Sequence, residues 1–519
     1  MRRKGLMWVL ALVVSVLMVA PVFAVEWTAS GNIQIGYRLY RNLFPEFMGA
    51  QADSNIDNWV QRVDLGITAT ASENLKGYIR FFIDAFPWPW GTYRTGQNAM
   101  GYWTSEQVTV ESQEAYIDFK IPALQTPTWV RAGVQYHVIR PVVFLNVPGP
   151  GINLRSTCKL QDGAVTVGGG WGKIREYDER YGSSTSAESF DVNVNVEEQK
   201  LTLTKTKYES ESQSQEGANL FYGFAEYSTK GNKFGVYAAA TGGKSWVRKK
   251  MSTSTVEYVF ELIDDEINVN ERKERIERID LLRAKGTIWW FGLYSDGKVG
   301  PFNYSFDAVL NTGSEKVGSE KTKYNGWMAR AELVYPYERY RFGLGGVYVS
   351  GQDYKKENKV TDFVNPFGSQ VWGPAGDSLV VISGWNAGPG PVGDVGIFGG
   401  PLGSAQVSAL KLAEQGWPGI WGVRLFADYK VVDWLTLLAQ VSYWGDTAKH
   451  GDTFEGPGKD ESSIGFEVDL GAAVNIYKNL TLRSAFGYLF KGSALDMKEV
   501  RGKKIDDPYA FIVTLFYTF

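Results

Sequence analysis

The sequence predicts an all-β fold, a transmembrane antiparallel up-and-down β-barrel of about 18 strands with short turns at one end and long loops at the other. Three observations carry that prediction. In the final stretch Tyr509, Phe511, Val513, Leu515, Tyr517 and Phe519 fall at every second position, so in a strand all six share one face. The same alternation recurs along the chain in runs long enough for a tilted strand to cross a bilayer, which takes ~9–11 residues. The third observation is composition. With 58 Gly and 14% aromatic residues the chain is rich in turns and interface-seeking rings, and a mean hydropathy of -0.21 excludes a helical membrane protein.

At the amino end, Arg2, Arg3 and Lys4 precede an apolar run from Leu6 to Ala20 and a small-residue end at Val22-Phe23-Ala24. This pattern predicts a secretory signal peptide over residues 1–24, leaving residues 25–519 as a single barrel domain. No later stretch approaches the ~18 consecutive apolar residues of a transmembrane helix. An exported chain that spans a membrane without helices must do so as a closed barrel.

The 54 basic and 57 acidic side chains leave a net charge of -3, which gives no reason to expect nucleic acid as a partner. The single Cys158 cannot form an internal disulfide, and His137 and His450 alone make no metal cluster. No Gly-x-Ser-x-Gly, zinc-ligand spacing or phosphate loop appears. The sequence therefore predicts no enzyme activity, no cofactor and no metal.

Taken in order, the first strand runs from Trp27 to Tyr40, with Ile33, Ile35 and Tyr37 on one face and Gln34 and Arg38 on the other. Arg62 and Asp64 alternate with Val63 and Leu65, and Arg80 and Asp84 lie between Ile79, Phe81 and Ile83. Next come a strand ending at Phe119, with Glu114 and Asp118, and Trp129 to His137, with Arg131. Weaker strands are read over 152–160 and 164–173. Residues 176–217 read as a polar insertion in which Val192, Val194, Leu201 and Leu203 outline a protruding hairpin. The charge-dense segment 247–280 reads as a solvated loop or a short exposed helix.

The second half alternates more cleanly. Asp307 lies among Phe306, Ala308 and Leu310, and Arg330 and Glu332 among Ala329, Ala331 and Leu333. Arg341 follows in the strand 340–350, Arg424 and Asp428 in 420–430, Glu467 and Asp469 in 463–476, and Arg483 in 480–491. In every case the charged residue sits opposite an apolar face, as a wet interior requires and a lipid-facing wall does not tolerate. A soluble sandwich would turn its polar face outward and would not repeat ionised residues on so many long strands. The predicted pore-lining set is thus Arg38, Arg62, Asp64, Arg80, Asp84, Glu114, Asp118, Arg131, Asp307, Arg330, Glu332, Arg341, Arg424, Asp428, Glu467, Asp469 and Arg483. For any one of them the plainer role is a structural salt bridge.

Aromatic residues gather at strand ends, among them Trp27, Trp59, Trp129, Trp327, Trp421, Trp434, Tyr335, Tyr340, Tyr443 and Tyr488. Interfacial girdles account for such placement. A sharper reading puts Trp289, Trp444 and Tyr116 inside, as a stacking track for sugar rings.

The leader, the alternation across the mature chain and the terminal aromatic together resemble the larger bacterial outer-membrane porins of Gram-negative cells. In organisation the chain is similar to the eighteen-stranded sugar- and carboxylate-selective channels and to alginate-export barrels. That resemblance implies a cell outer-membrane location, surrounding lipid and a terminal Phe519 strand read by the barrel-assembly machinery. It implies a diffusion channel for the transport of small hydrophilic solutes, working as a monomer or a homotrimer. By the same analogy a long loop folds inward to constrict the bore, with 141–151 and 351–418 the candidates. The alternatives are a polysaccharide-export or solute-selective channel, and a surface adhesin or receptor that works through its long loops.

Overall fold

The computed structural model describes residues 25–42, 56–83, 110–122, 124–140, 143–173, 186–195, 200–209, 219–247, 250–263, 266–277, 283–317, 320–356, 358–364, 419–452, 456–457, 460–495 and 506–519. The signal-peptide expectation for residues 1–24 lies outside them, as do Asp84 and the side chains of Trp59, Arg38 and Arg62.

The chain is built of strands. They are β1 (Glu26–Arg41), β2 (Ile56–Ser72), β3 (Leu75–Ile83), β4 (Val110–Lys120), β5 (Thr128–Ile139), β6 (Leu145–Leu160) and β7 (Gly163–Lys173). After them come β8 (Ser186–Asn195), β9 (Lys200–Glu209), β10 (Asn219–Ser228), β11 (Lys233–Val247), β12 (Lys250–Ile263) and β13 (Glu266–Glu277). The middle of the chain gives β14 (Arg283–Val299), β15 (Phe302–Val317), β16 (Glu320–Tyr337), β17 (Tyr340–Val349) and the short β18 (Lys359–Val360). The last are β19 (Ile420–Val432), β20 (Leu435–Asp446), β21 (Gly451–Asp452), β22 (Gly456–Pro457), β23 (Ser463–Tyr477), β24 (Leu480–Lys491) and β25 (Tyr509–Thr518), and among the described residues a 3₁₀ turn lies at Ser493–Leu495.

Nineteen of these strands form one sheet; all but the two-residue β18 belong to a closed antiparallel ring of eighteen. Neighbours in sequence are neighbours in space, except where β8 with β9, and β12 with β13, leave the ring as insertions. Closure runs from Asn32↔Thr518 to Arg41↔Tyr509. Beyond that ladder, Gly31 N–H donates to the Phe519 carbonyl at 2.9 Å, and Phe519 N–H donates to the Gly31 carbonyl at 3.1 Å. Closing the sheet this way leaves β1 and β25 with no free edge along their shared ladder.

The two faces of the wall differ as period-2 alternation requires. Leu293, Leu344, Leu425 and Leu470 look outward and are exposed, Leu470 by 55%. Their neighbours Arg424, Asp469 and Asp307 look inward and are buried. On β14, Trp289 and Phe291 stack side by side on the outside while Trp290 between them is fully buried inside. Of the proposed interior track, Trp444 and Tyr116 are therefore inward, but Trp289 faces out.

Three sequence expectations need correction. Residues 145–151 are the start of β6, not loop, so the β5–β6 connection is short. The segment 247–280 contains β12 and β13, neither loop nor helix. Together with β8 and β9 they make a separate four-stranded sheet in the order β13-β12-β9-β8, with β9 paired to β12 from Lys200↔Val259 to Glu209↔Lys250. The link between β15 and β16 is only residues 318–319, so two connections at the long-loop end are short.

Candidate functional site

The inner wall is a chain of cross-strand ion pairs, because charged residues at matching registers of neighbouring strands share one face. On β3, Arg80 reaches back to Asp64 on β2 with Nε at 2.6 Å and forward to Glu114 on β4 with Nη1 at 3.2 Å. On β5, Arg131 forms a two-point pair with Asp118 at 2.7 and 2.8 Å, and its guanidinium lies 3.9 Å over the Tyr116 ring. Farther round the wall Arg330 donates to Asp307 at 2.7 Å, Arg341 pairs with Asp428, and Arg424 pairs with Glu332. Arg424 also donates to Gln440 at 3.0 Å, and Gln440 donates onward to Asp469 at 2.9 Å. Glu467 and Asp469 are fully buried, and Arg483 lies 4.9 Å over the Phe516 ring. Inward carboxylates and guanidiniums thus neutralise one another locally. Such pairing leaves the wall polar without a strong net field of either sign.

The wall from β6 to β14 is different. Several of its inward residues are aromatic rings laid over glycines. Tyr237 lies across Gly292, where any Cβ would collide with the ring, and Tyr294 lies across Gly235 in the same way. Without a side chain on one strand, the neighbour's ring can lie flat against the backbone.

Two inward elements cover this aromatic wall. The first is the tip of the β5–β6 hairpin. Beyond Val134↔Pro150 the hairpin has no other strand partner, and it carries its turn into the bore. His137 Nδ1 lies 3.2 Å from the Tyr222 hydroxyl, and the Phe144 ring stacks on Tyr237 with centroids 5.0 Å apart. Arg140, at a φ of 47°, extends furthest. It pairs with Asp296, donates to Asp307 from Nε at 2.6 Å, and lies 4.4 Å over the Tyr294 ring.

The second element is the segment 350–364, the beginning of the long loop expected at 351–418. Ser350 accepts from Phe363 N–H at 3.0 Å through its carbonyl, and its hydroxyl donates to the Thr361 carbonyl at 2.9 Å. The strap lies directly on Gly326 of β16, where a Cβ would strike the Asp362 backbone. Its end is pinned to the wall: Val364 N–H donates to Asn311 Oδ1 at 3.2 Å, and Trp290 Nε1 donates to the Val364 carbonyl at 2.7 Å. Phe363 is fully buried. Since Phe144 also packs on Trp290, with centroids 6.3 Å apart, both inward elements meet at that residue.

Outside the bore the strap is tied to the β20–β23 connection. Tyr354 N–H donates to the Lys449 carbonyl at 3.0 Å, and Lys449 N–H to the Gln352 carbonyl at 2.8 Å. Asp353 pairs with Lys356 and with His450, each at 3.0 Å. Hydrogen bonds from those two partners hold the Asp353 carboxyl down at about 2. Asp362, buried and with Oδ1 lacking a partner, is pushed up to about 6 by desolvation.

The expected site residues with described side chains all lie on the inward face, but the pairs divide among several stretches of wall. Sequence reading missed Arg140, Trp290, Asn311 and Phe363, which hold the two inward elements. The available signals were weak: a lone arginine before Pro141, and a glycine two residues either side of a ring. Among the described residues no group of His, Cys, Asp and Glu is arranged to hold a metal, and Cys158 is exposed.

No protein-family model matches the chain, and no curated protein matches it. Solved structures do. OccK8 (OprE) of Pseudomonas aeruginosa is 12% identical, with 95% of this chain and 98% of that chain covered and a TM-score of 0.48. OpdK of Pseudomonas aeruginosa with vanillate is 11% identical, with 95% and 98% covered and a TM-score of 0.45. A BenF-like porin from Pseudomonas fluorescens is 11% identical, with 95% and 99% covered and a TM-score of 0.46. At these identities and TM-scores the likeness assigns no solute to this chain.

Proposed function

We propose that this barrel is an outer-membrane porin, a passive water-filled channel for small hydrophilic solutes, narrowed by the β5–β6 tip and the strap. One observation carries the reading: a closed ring of eighteen strands with leucines such as Leu293 and Leu470 exposed outside and paired ions such as Arg330–Asp307 inside. A wall greasy on its outer surface and ionic on its inner one suits lipid outside and water within. Barrels of this strand number leave an aqueous bore, whereas those of about 8 strands are filled by side chains. The inward arginines and carboxylates serve as pore lining. Export through the leader, insertion through the Phe519 strand by the assembly machinery, and a monomeric or trimeric state belong to the same proposal.

Purified protein in planar bilayers tests it. Discrete ohmic steps are expected, with weak selectivity across a salt gradient because the wall charges are paired. A barrel that inserts but passes no current would remove the proposal. A second reading, a surface receptor on a barrel mount, is favoured by one observation, the four-stranded sheet built jointly by two insertions at the long-loop end. Removing residues 186–209 and 250–277 separates the two readings, since a pore keeps its conductance and a receptor loses its only working part.

A further inference from the structure

We propose that the strap 350–364 is a pH-sensitive shutter, seated against Trp290 and Asn311 while Asp362 is protonated and released from that wall when the carboxyl ionises. The inference rests on the channel reading above. It starts from an anomaly in the packing. The strap is well anchored on either side of Asp362, through Thr361 to Ser350 and through Val364 to Asn311 and Trp290. Yet Asp362 itself is 7% exposed and its Oδ1 has no hydrogen-bond partner. A carboxylate in that position gives up hydration without gaining an ion pair, so its charged form opposes the seated strap.

Among the described residues no cation pairs with it. Lys323 of β16 and Lys359 of β18 lie side by side in register and make no ion pair with it. On the strap, Lys356 is engaged by Asp353. On the β20–β23 connection, His450 is likewise engaged by Asp353, and Lys449 meets the strap through its backbone. Tyr354 of the strap also senses Asp362. The Tyr354 hydroxyl is pushed up to about 12 by burial and by Asp362, Asp446 and Asp452 around it. The rise at Asp362 itself comes from desolvation.

The sign follows from the raised carboxyl. In a released, hydrated strap Asp362 titrates near the ordinary value of 3.8, and in the seated strap near 6. The seated form is fully favoured below about pH 4, loses ground as pH rises through the window up to about 6, and above it is disfavoured by about 100-fold relative to acid. The strap is thus seated in acid and released at neutral pH.

The test reads strap release directly. In a Cys158→Ser background, a thiol introduced by Val364→Cys is titrated with a pyridyl disulfide, which reacts in acid as well as at neutral pH. Its rate is taken relative to Lys478→Cys, in an exposed turn. We expect the relative rate to rise about 100-fold between pH 4 and pH 7. Adding Asp362→Asn should flatten it at the acid value, and adding His450→Gln should leave the rise intact. A rise that survives Asp362→Asn, or disappears with His450→Gln, overturns the proposal. Gly326→Val, which crowds the strap off the wall at the Asp362 backbone and leaves every carboxyl in the sequence, should label fast at every pH; slow, pH-dependent labelling there would overturn it too. Bilayer recordings keep the two readings apart: absent conductance defeats the channel, whereas conductance with pH-independent labelling defeats only the shutter.

Discussion

Arg140 Nε donates to Asp307 Oδ1 at 2.6 Å, although β6, β7, β10, β11 and β14 stand in the sheet between β5, which ends at Ile139, and β15. Six strand spacings amount to about 29 Å of wall. The contact exists because the β5–β6 tip leaves the ring and runs across the inside of it. Asp307 is fully buried and shared with Arg330, so the hairpin is held at its far end by one guanidinium between two carboxylates.

Arg140→Ala should therefore release the tip. Breaking a buried pair from one side leaves an uncompensated charge and costs about 3 kcal/mol, but Arg330 remains beside Asp307, and the loss should fall below that. Single-channel conductance should rise and fluctuate between levels, while the barrel itself stays folded by heat-modifiability on gels. Conductance equal to wild type would show that the tip does not limit the path.

Trp290 serves both inward elements, and its two roles are separable. Trp290→Phe keeps a ring for Phe144 to pack on but removes the hydrogen bond to the Val364 carbonyl, at a cost of about 1 kcal/mol. The strap should loosen while the hairpin stays. Faster thiol labelling at position 364, with unchanged labelling near residue 144, is the expected pattern.

What the sequence made legible was the wall. Alternation with unlike faces specifies both strand and direction, so Asp307, Arg330 and Arg424 could be turned inward from spacing alone. The start of β6 was hidden because Pro148, Gly149, Pro150 and Gly151 read as loop. Up to Pro150 the strand pairs only with β5, and an outer edge tolerates proline where a central strand does not. Strands β12 and β13 were hidden by their charge density, since a sheet outside the barrel need not bury both faces. The meeting of Phe144, Trp290 and Val364 was illegible for another reason: it depends on contacts between distant strands, and local pattern carries no record of those.

The closing seam yields a further prediction. Phe519 exchanges two backbone hydrogen bonds with Gly31 beyond the last β1–β25 pair, and a Cβ on Gly31 would strike the Phe519 ring. Deleting Phe519 shortens the seam at the end where the chain's head and tail meet. The yield of heat-modifiable barrel in the membrane fraction should fall severalfold, and barrels that do form should conduct normally. Normal yield would show that the last residue adds nothing to closure.

Outward positions should be intolerant in a depth-dependent way. Leu293 on β14 is 47% exposed on the outer face, and Leu293→Arg would place a guanidinium against hydrocarbon, costing about 2–4 kcal/mol near mid-bilayer. Denaturant unfolding in lipid vesicles should register that loss, while Leu293→Val stays within error of wild type. A tolerated arginine would mean that this face meets water or another protein.

The acid sensitivity assigned to Asp362 should not extend to the neighbouring latch. Hydrogen bonds from Lys356 and His450 hold the Asp353 carboxyl down at about 2, below its ordinary value. For a depressed acid the stabilisation is complete above the ordinary carboxylate range and is lost only as pH falls toward 2. Between pH 7 and pH 4 the backbone bonds joining Gln352 and Tyr354 to Lys449 should keep their protection against hydrogen exchange, after correction for intrinsic rates. Asp353→Asn should reduce that protection at neutral pH already. If wild-type protection falls in step with labelling at position 364 across the same window, the strap opens as one piece with its latch, and the hinge lies beyond Tyr354 and not at Asp362.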